Sequence, residues 1–249
     1  MAFIAVRTRE RIATLTLNRA PVNALNGPVV DQLRGALAAA ERDRDIDAVI
    51  LTGAGKFFSF GFDIPELFPY SKERFTDYAI RFTDLYTYAF MYPKPLVAAV
   101  NGHAIAGGCM LALACDYRVM AGGTAKISLN EIGFASSVFA GATEMLRFWV
   151  GSANANKILV SGAMYSADDA RSLGVVDQVA PADGVLDAAR AAAAERGSKH
   201  PPAFASIKSL LRESVRAEMT ERERDSIERF VDIWYSEPTR AKLRDIKIR

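Results

Sequence analysis

Asn101-Gly-His-Ala-Ile-Ala-Gly-Gly-Cys-Met-Leu-Ala-Leu-Ala-Cys-Asp116 follows the apolar run Pro95 to Val100. The pattern reads as a strand that leaves through an Asn-Gly turn and re-enters as an apolar helix opened by the glycines at 107 and 108. A helix start leaves its first N–H groups without intrahelical partners, and the helix dipole favours negative charge there. With no Cβ in the way, a carbonyl oxygen approaches those donors closely. Downstream, Ile127-Ser-Leu-Asn-Glu-Ile132 supplies an acid, Glu131. Donors facing a carbonyl, with an acid nearby, suit chemistry that passes through an enolate.

A second turn of the same kind lies upstream. The buried-strand pattern Ala48-Val-Ile-Leu-Thr-Gly53 leads into Gly55-Lys-Phe-Phe-Ser-Phe-Gly-Phe-Asp-Ile64. The N–H of Phe60, just before Gly61, is the expected second donor, because an oxyanion hole needs two that converge. By itself the segment is equally a turn that uses glycine for positive φ.

Five motifs then carry a resemblance: Phe58-Ser-Phe-Gly-Phe-Asp-Ile64, Ala99-Val-Asn-Gly102, Ala106-Gly-Gly-Cys109, Leu129-Asn-Glu131 and Gly174-Val-Val-Asp-Gln-Val-Ala-Pro181. In this order and spacing the chain resembles the crotonase family, the enoyl-CoA hydratase and isomerase superfamily. The likeness runs from Pro21-Val-Asn-Ala-Leu-Asn26 to Phe230-Val-Asp-Ile-Trp234 and the charged tail. It implies an α/β fold: a crotonase-like spiral of repeated ββα units over residues 1–197, carrying the active site. A C-terminal helical region over 198–249 is implied to serve trimerisation and site closure. An acyl-CoA thioester is the implied partner and a homotrimer or dimer of trimers the implied assembly. CoA enters as part of the substrate, so no cofactor is expected, and no metal.

Hydratases of this family are known for two glutamates. Here Met110 stands at the first position and only the second, Glu131, is kept, with Asn130 before it in place of proline. Hydration calls for groups that activate water and return its proton, and a thioether does neither. Moving a double bond needs one base. The pattern is similar to the Δ3,Δ2-enoyl-CoA isomerase branch in particular. The resemblance therefore implies Glu131 as a proton shuttle, Phe60 and Gly107 as oxyanion-hole donors, and Met110 as a wall against water. Ala24, Lys56, Gly61, Asp63, Ile64, Gly108 and Phe139 are implied to line the substrate or CoA path. The alternatives are a hydratase or other enolate-forming acyl-CoA enzyme, and a non-catalytic acyl-CoA-binding protein.

Ile132, Gly133, Phe134, Val138 and Phe139 surround Glu131 in sequence and are expected to desolvate its carboxyl and raise its pKa. Phe60, Phe62 and Phe139 fill places where the family often has smaller residues or Pro-Gly, which reshapes the acyl tunnel. Pro65 replaces a frequent lysine, and Lys56 is the candidate substitute for a CoA phosphate contact. Two readings of the tail Arg240 to Arg249 stand side by side, a solvated surface and a phosphate contact.

Composition excludes other classes. With 249 residues, 50% hydrophobic and 24% charged, the chain has the balance of a soluble globular protein. A net charge of +2 with no interleaved aromatic and basic residues argues against nucleic acid. Pro95 to Cys115 carries no formal charge, yet Asn101, Gly102, His103 and the glycine pair break it, so no membrane span is expected. The start Met-Ala-Phe-Ile-Ala-Val-Arg reads as no signal or transit segment, and a cytoplasmic location is expected. Cys109 and Cys115 fall on nearly opposite faces of one helix and read as packed thiols. His103 and His200 read as turn and loop residues. Neither glycine run gives Gly-x-Gly-x-x-Gly, nor does Gly55-Lys56 give a phosphate loop, so the dinucleotide and nucleotide rivals fall.

The pattern predicts strands at 3–7, 11–18, 48–53, 96–101, 116–121, 126–129 and 175–179. Helices are predicted at 28–43, 72–91, 107–115, 138–149, 152–161, 166–172, 183–196, 202–215 and 220–236. No internal sequence repeat is evident.

Overall fold

The computed structural model describes residues 2–246. The calls on Lys247 to Arg249 at the end of the tail lie outside the described residues. Strands β1 (Ile4–Arg9) and β2 (Ile12–Leu17) pair as an antiparallel hairpin. Its two connecting residues, Glu10 and Arg11, both have positive φ, the conformation that matches the right-handed twist of the strands. The chain crosses through α1 (Gly27–Arg42), whose N-cap Asn26 accepts from the Val29 N–H, into the buried β3 (Ala48–Gly53). Every later pairing between these described strands is parallel.

Three successive strand pairs then repeat one move. β3 is followed by β4 (Phe57–Ser59), β5 (Leu96–Val100) by β6 (His103–Ile105), and β7 (Tyr117–Ala121) by β8 (Ile127–Ser128). The first of each pair joins a six-stranded sheet ordered β1-β2-β3-β5-β7-β9, where β9 is Gln178–Ala180. The second joins a three-stranded sheet ordered β4-β6-β8. This is the α/β crotonase fold, and the repeat hidden in the sequence is visible in the backbone. The members of the smaller sheet are two or three residues long, too short for a periodic signature.

Helices wind around these sheets. The short α2 (Ile64–Leu67) and the long α3 (Lys72–Phe90) separate β4 from β5, and α4 (Gly107–Leu113) follows β6. The expected helices at 138–149 and 152–161 form one span, α5 (Ala140–Ser161), broken by the non-helical Gly151 at φ 73°. α6 (Ala167–Ser172) and α7 (Val185–Gly197) follow, close to prediction. The two helices expected at 202–215 and 220–236 are a single 34-residue helix, α8 (Pro201–Trp234), before α9 (Glu237–Leu243). No Gly or Pro interrupts 203–236, so nothing in the sequence breaks α8.

α8 inverts the expected polarity in its first half. Lys208 and Arg212 are buried and both pair with Asp116, at 2.8 and 2.9 Å, while Ile207, Leu210 and Leu211 are exposed. Asp116 also accepts the N–H of Leu96, which ties the helix to the large sheet. Burial pulls Lys208 down to about 8 although Asp116 opposes the shift. In the second half Ile227, Phe230, Val231 and Trp234 are buried, as the periodicity requires. No described helix is long and apolar enough to cross a membrane.

Candidate active site

The first turn of α4 is reached abruptly. Ala106 takes the unusual conformation φ 50°, ψ −118°, its N–H donates to Ser128 O at 2.8 Å, and no side chain caps the helix. The N–H of Met110 closes the first intrahelical bond on Ala106 O, so the N–H groups of Gly107 and Gly108 have no acceptor among the described residues. Gly108 has no room for a side chain, and Gly107 has little. A Cβ on Gly108 would stand 2.3 Å from Ser59 O, and one on Gly107 would press on the Phe82 and Phe62 rings at 3.2 and 3.3 Å.

The second donor differs from the expectation. The N–H of Phe60 donates to Val22 O at 3.0 Å and is therefore committed. Gly61 donates to Ser59 Oγ, and Asp63 donates to Leu25 O, while Leu25 donates to Gly61 O. Leu25 and Phe62 thus form a parallel bridge in which Leu25 bonds the two neighbours of Phe62. The N–H of Phe62 is left without an acceptor among the described residues. The assignment moves from Phe60 to Phe62, because a parallel bridge turns alternate peptide groups in opposite directions.

The loop that makes this bridge is itself fixed. Asn23, at φ 52°, donates through Nδ2 to Ala54 O and Phe57 O at 2.9 and 2.8 Å, and its own carbonyl accepts from Ser59 Oγ at 2.8 Å. Asp63 caps α2 by accepting the Glu66 N–H and forms a close ion pair with Arg19. Its carboxylate and its N–H are both occupied. Ala24 is buried, and its carbonyl accepts from Arg19 at 3.3 Å.

Gly107, Phe62 and Glu131 meet at one cavity of about 60 Å³, whose walls include Met110, Phe139, Phe230 and Trp234. Phe60, Ile64 and Ile105 also line it, and Phe60 is 40% exposed. Phe62 sits in an aromatic nest, edge-on to Phe82 at 4.9 Å and to Tyr78 at 5.0 Å. Phe139, fully buried, lies 4.3 Å from Phe230. Of the other expected residues, Ile64, Met110 and Phe139 line the cavity, while Gly61 and Gly108 pack directly behind it. Lys56 lies on an exposed turn outside the cavity walls.

Glu131 opens a short 3₁₀ turn, Glu131–Phe134, immediately after β8 and Asn130. It is 7% exposed and is the only ionisable side chain among the described residues that line the cavity. Its Oε2 has no hydrogen-bond partner among the described residues. Burial raises its pKa to about 8, opposed only weakly by its own backbone. Such a carboxyl is poised for proton transfer near neutral pH. The N-terminus of α5, which carries Phe139, is held by Glu223 of α8. That carboxylate accepts from Gly141 N and Tyr86 OH, both at 2.8 Å.

Two of the described tail cations serve the chain itself, while Arg244 is exposed. Arg240 stacks on Phe68 and donates to its carbonyl, and Lys242 donates to Gly133 O. His103 packs on Phe57 outside the cavity, and His200 precedes α8. No cluster of three or more His, Cys, Asp or Glu able to hold a metal occurs among the described residues.

Two backbone N–H groups and a buried acid thus face one apolar cavity. Residues 7–240 match the family described as Enoyl-CoA hydratase/isomerase, and the chain belongs to that family. It is 37% identical over 219 residues to the 2,3-dehydroadipyl-CoA hydratase of Escherichia coli strain K12, covering 86% of this chain and 83% of that protein. It is 34% identical over 222 residues to a mitochondrial enoyl-CoA hydratase of Pongo abelii, covering 88% and 74%. Its fold superimposes on the crystal structure of human mitochondrial delta3-delta2-enoyl-CoA isomerase with a TM-score of 0.92, at 26% identity over 98% of this chain and 96% of that one. The chain is thus an acyl-CoA enzyme of the hydratase/isomerase family.

Proposed function

We propose that the protein shifts a double bond from 3-enoyl-CoA to 2-enoyl-CoA. The observation that carries this reading is the single acid: Glu131 alone is ionisable among the described lining residues, and buried Met110 stands at the place of the first glutamate. In this reaction the Glu131 carboxylate takes a proton from C2, breaking the C–H bond. The electron pair spreads through a dienolate onto the thioester oxygen, which the N–H groups of Phe62 and Gly107 receive. The same carboxyl then returns its proton to C4, leaving the double bond between C2 and C3. No group enters or leaves, so the apolar walls serve by keeping water from the intermediate.

Hydration is the second reading, favoured by the names of the sequence relatives and by Asn130 Oδ1 and Ser136 Oγ, buried and unpartnered in the same cavity. Product analysis separates the two. Given 3-enoyl-CoA the enzyme is expected to yield 2-enoyl-CoA, and given 2-enoyl-CoA to yield little 3-hydroxyacyl-CoA. Fast hydration without double-bond migration overturns the isomerase reading. Binding of acyl-CoA with neither product points to a non-catalytic role. The exposed Ile207, Leu210 and Leu211 on α8 support self-association as a trimer or dimer of trimers, to be read from the mass in solution.

A further inference from the structure

Four buried polar side-chain atoms on the walls of this one cavity have no hydrogen-bond partner among the described residues: Glu131 Oε2, Asn130 Oδ1, Ser136 Oγ and Trp234 Nε1. Proton transfer accounts for the first. The other three have no part in moving a double bond, and a buried polar atom left unpaired is costly. Trp234 is 3% exposed, and one face of its ring is stacked on Phe75 with centroids 4.4 Å apart. The other tryptophan, Trp149, donates its Nε1–H to Leu113 O at 2.7 Å. The fold therefore satisfies one indole N–H and leaves the other at the cavity wall.

We propose that the cavity recognises a hydroxyl group carried on the acyl chain. The inference rests on the reading that an acyl-CoA occupies this cavity. Indole N–H only donates, Asn130 Oδ1 only accepts, and the Ser136 hydroxyl does both. A substrate hydroxyl matches the set, accepting from Trp234 and donating to Asn130 or Ser136. A plain alkyl chain would leave all three unmet. A carboxylate would enter a cavity whose described walls offer an acid and no Lys or Arg.

Binding of saturated ligands tests this without turnover. Hexanoyl-CoA is compared by calorimetry with hexanoyl-CoA hydroxylated at C4, C5 or C6. One hydroxylated ligand is expected to bind at least about tenfold more tightly than hexanoyl-CoA, the worth of one well-placed buried hydrogen bond. Trp234→Phe keeps the stacked ring and removes the N–H, so it should bring the affinity for the preferred hydroxylated ligand down to that of hexanoyl-CoA measured on the same variant. Ser136→Ala should reduce the preference in the same way. If no hydroxylated ligand binds more tightly, or if both variants weaken all ligands alike, the three atoms serve water or packing and the proposal falls. Failure of all four ligands to bind wild-type protein would instead remove the acyl-CoA reading on which it stands.

Discussion

A Cβ placed on Gly61 would stand 3.1 Å from the amide nitrogen of Gly107 and 2.8 Å from the carbonyl of Ile105. The two turns that carry the candidate donors are thus in contact through backbone alone, and Gly61 holds them at that separation with φ 84°. Gly61→Ala meets both a forbidden backbone region and a backbone clash. It is expected to cost about 1–3 kcal/mol of stability, the usual worth of such strain. Because the relief must come from parting Phe62 and Gly107, turnover should fall more steeply than acyl-CoA affinity. Equal losses of kcat and affinity would deny the turns a shared role.

The buried carboxyl of Glu131 makes both rate and stability depend on pH. The base form is the active one, so kcat should rise with pH and level off above about 8. Glu131→Gln should lower isomerisation by about 10²–10⁴-fold and erase that profile. Stability moves the other way. The folded protein holds this proton up to about 8, whereas the unfolded chain releases it near 4.5, so the native state binds more protons between those values. Wild-type stability should therefore decline across that window, by on the order of 1 kcal/mol per pH unit from this group. Glu131→Gln should flatten the decline in urea titrations at several pH values.

Met110→Glu places a second acid in the wall at a residue only 2% exposed. Two carboxyls in one apolar cavity raise each other's proton affinity, so the variant should be less stable by about 1–3 kcal/mol. If a missing acid is what separates this enzyme from a hydratase, 3-hydroxyacyl-CoA formation should increase by at least about tenfold, measured by product analysis. A wild-type enzyme that hydrates as fast as the variant would take Met110 out of that account.

The long elements and the buried acid at the cavity were legible in the sequence because they have strong local signatures. Ala48 to Gly53 and Leu96 to Val100 are unbroken apolar runs, and the fold uses them as buried central strands. Glu131 was found by its spacing from the glycine pair, and its raised pKa by the apolar residues around it. Of the smaller sheet, Ile127–Ser128 lies within the strand expected at 126–129, whereas Phe57–Ser59 and His103–Ile105 were not legible, since they are held by pairing across the fold and not by their own pattern. Phe60 was chosen over Phe62 because adjacency to Gly61 ranks them alike. Only the bridge to Leu25, distant in sequence, tells their N–H groups apart. The inverted face of α8 was hidden for a related reason. Lys208 and Arg212 face inward only because Asp116 waits there.

Asn23 grips Ala54 and Phe57 with one amide and receives Ser59 on its own carbonyl. The strand leading to Phe62 is therefore stitched in place by a neighbouring loop, with no ligand needed to align it. Dipoles set during folding need not be rearranged when negative charge arrives, so attraction for the thioester is kept for the moment the charge peaks. The alignment of these amides is thus a property of the fold itself.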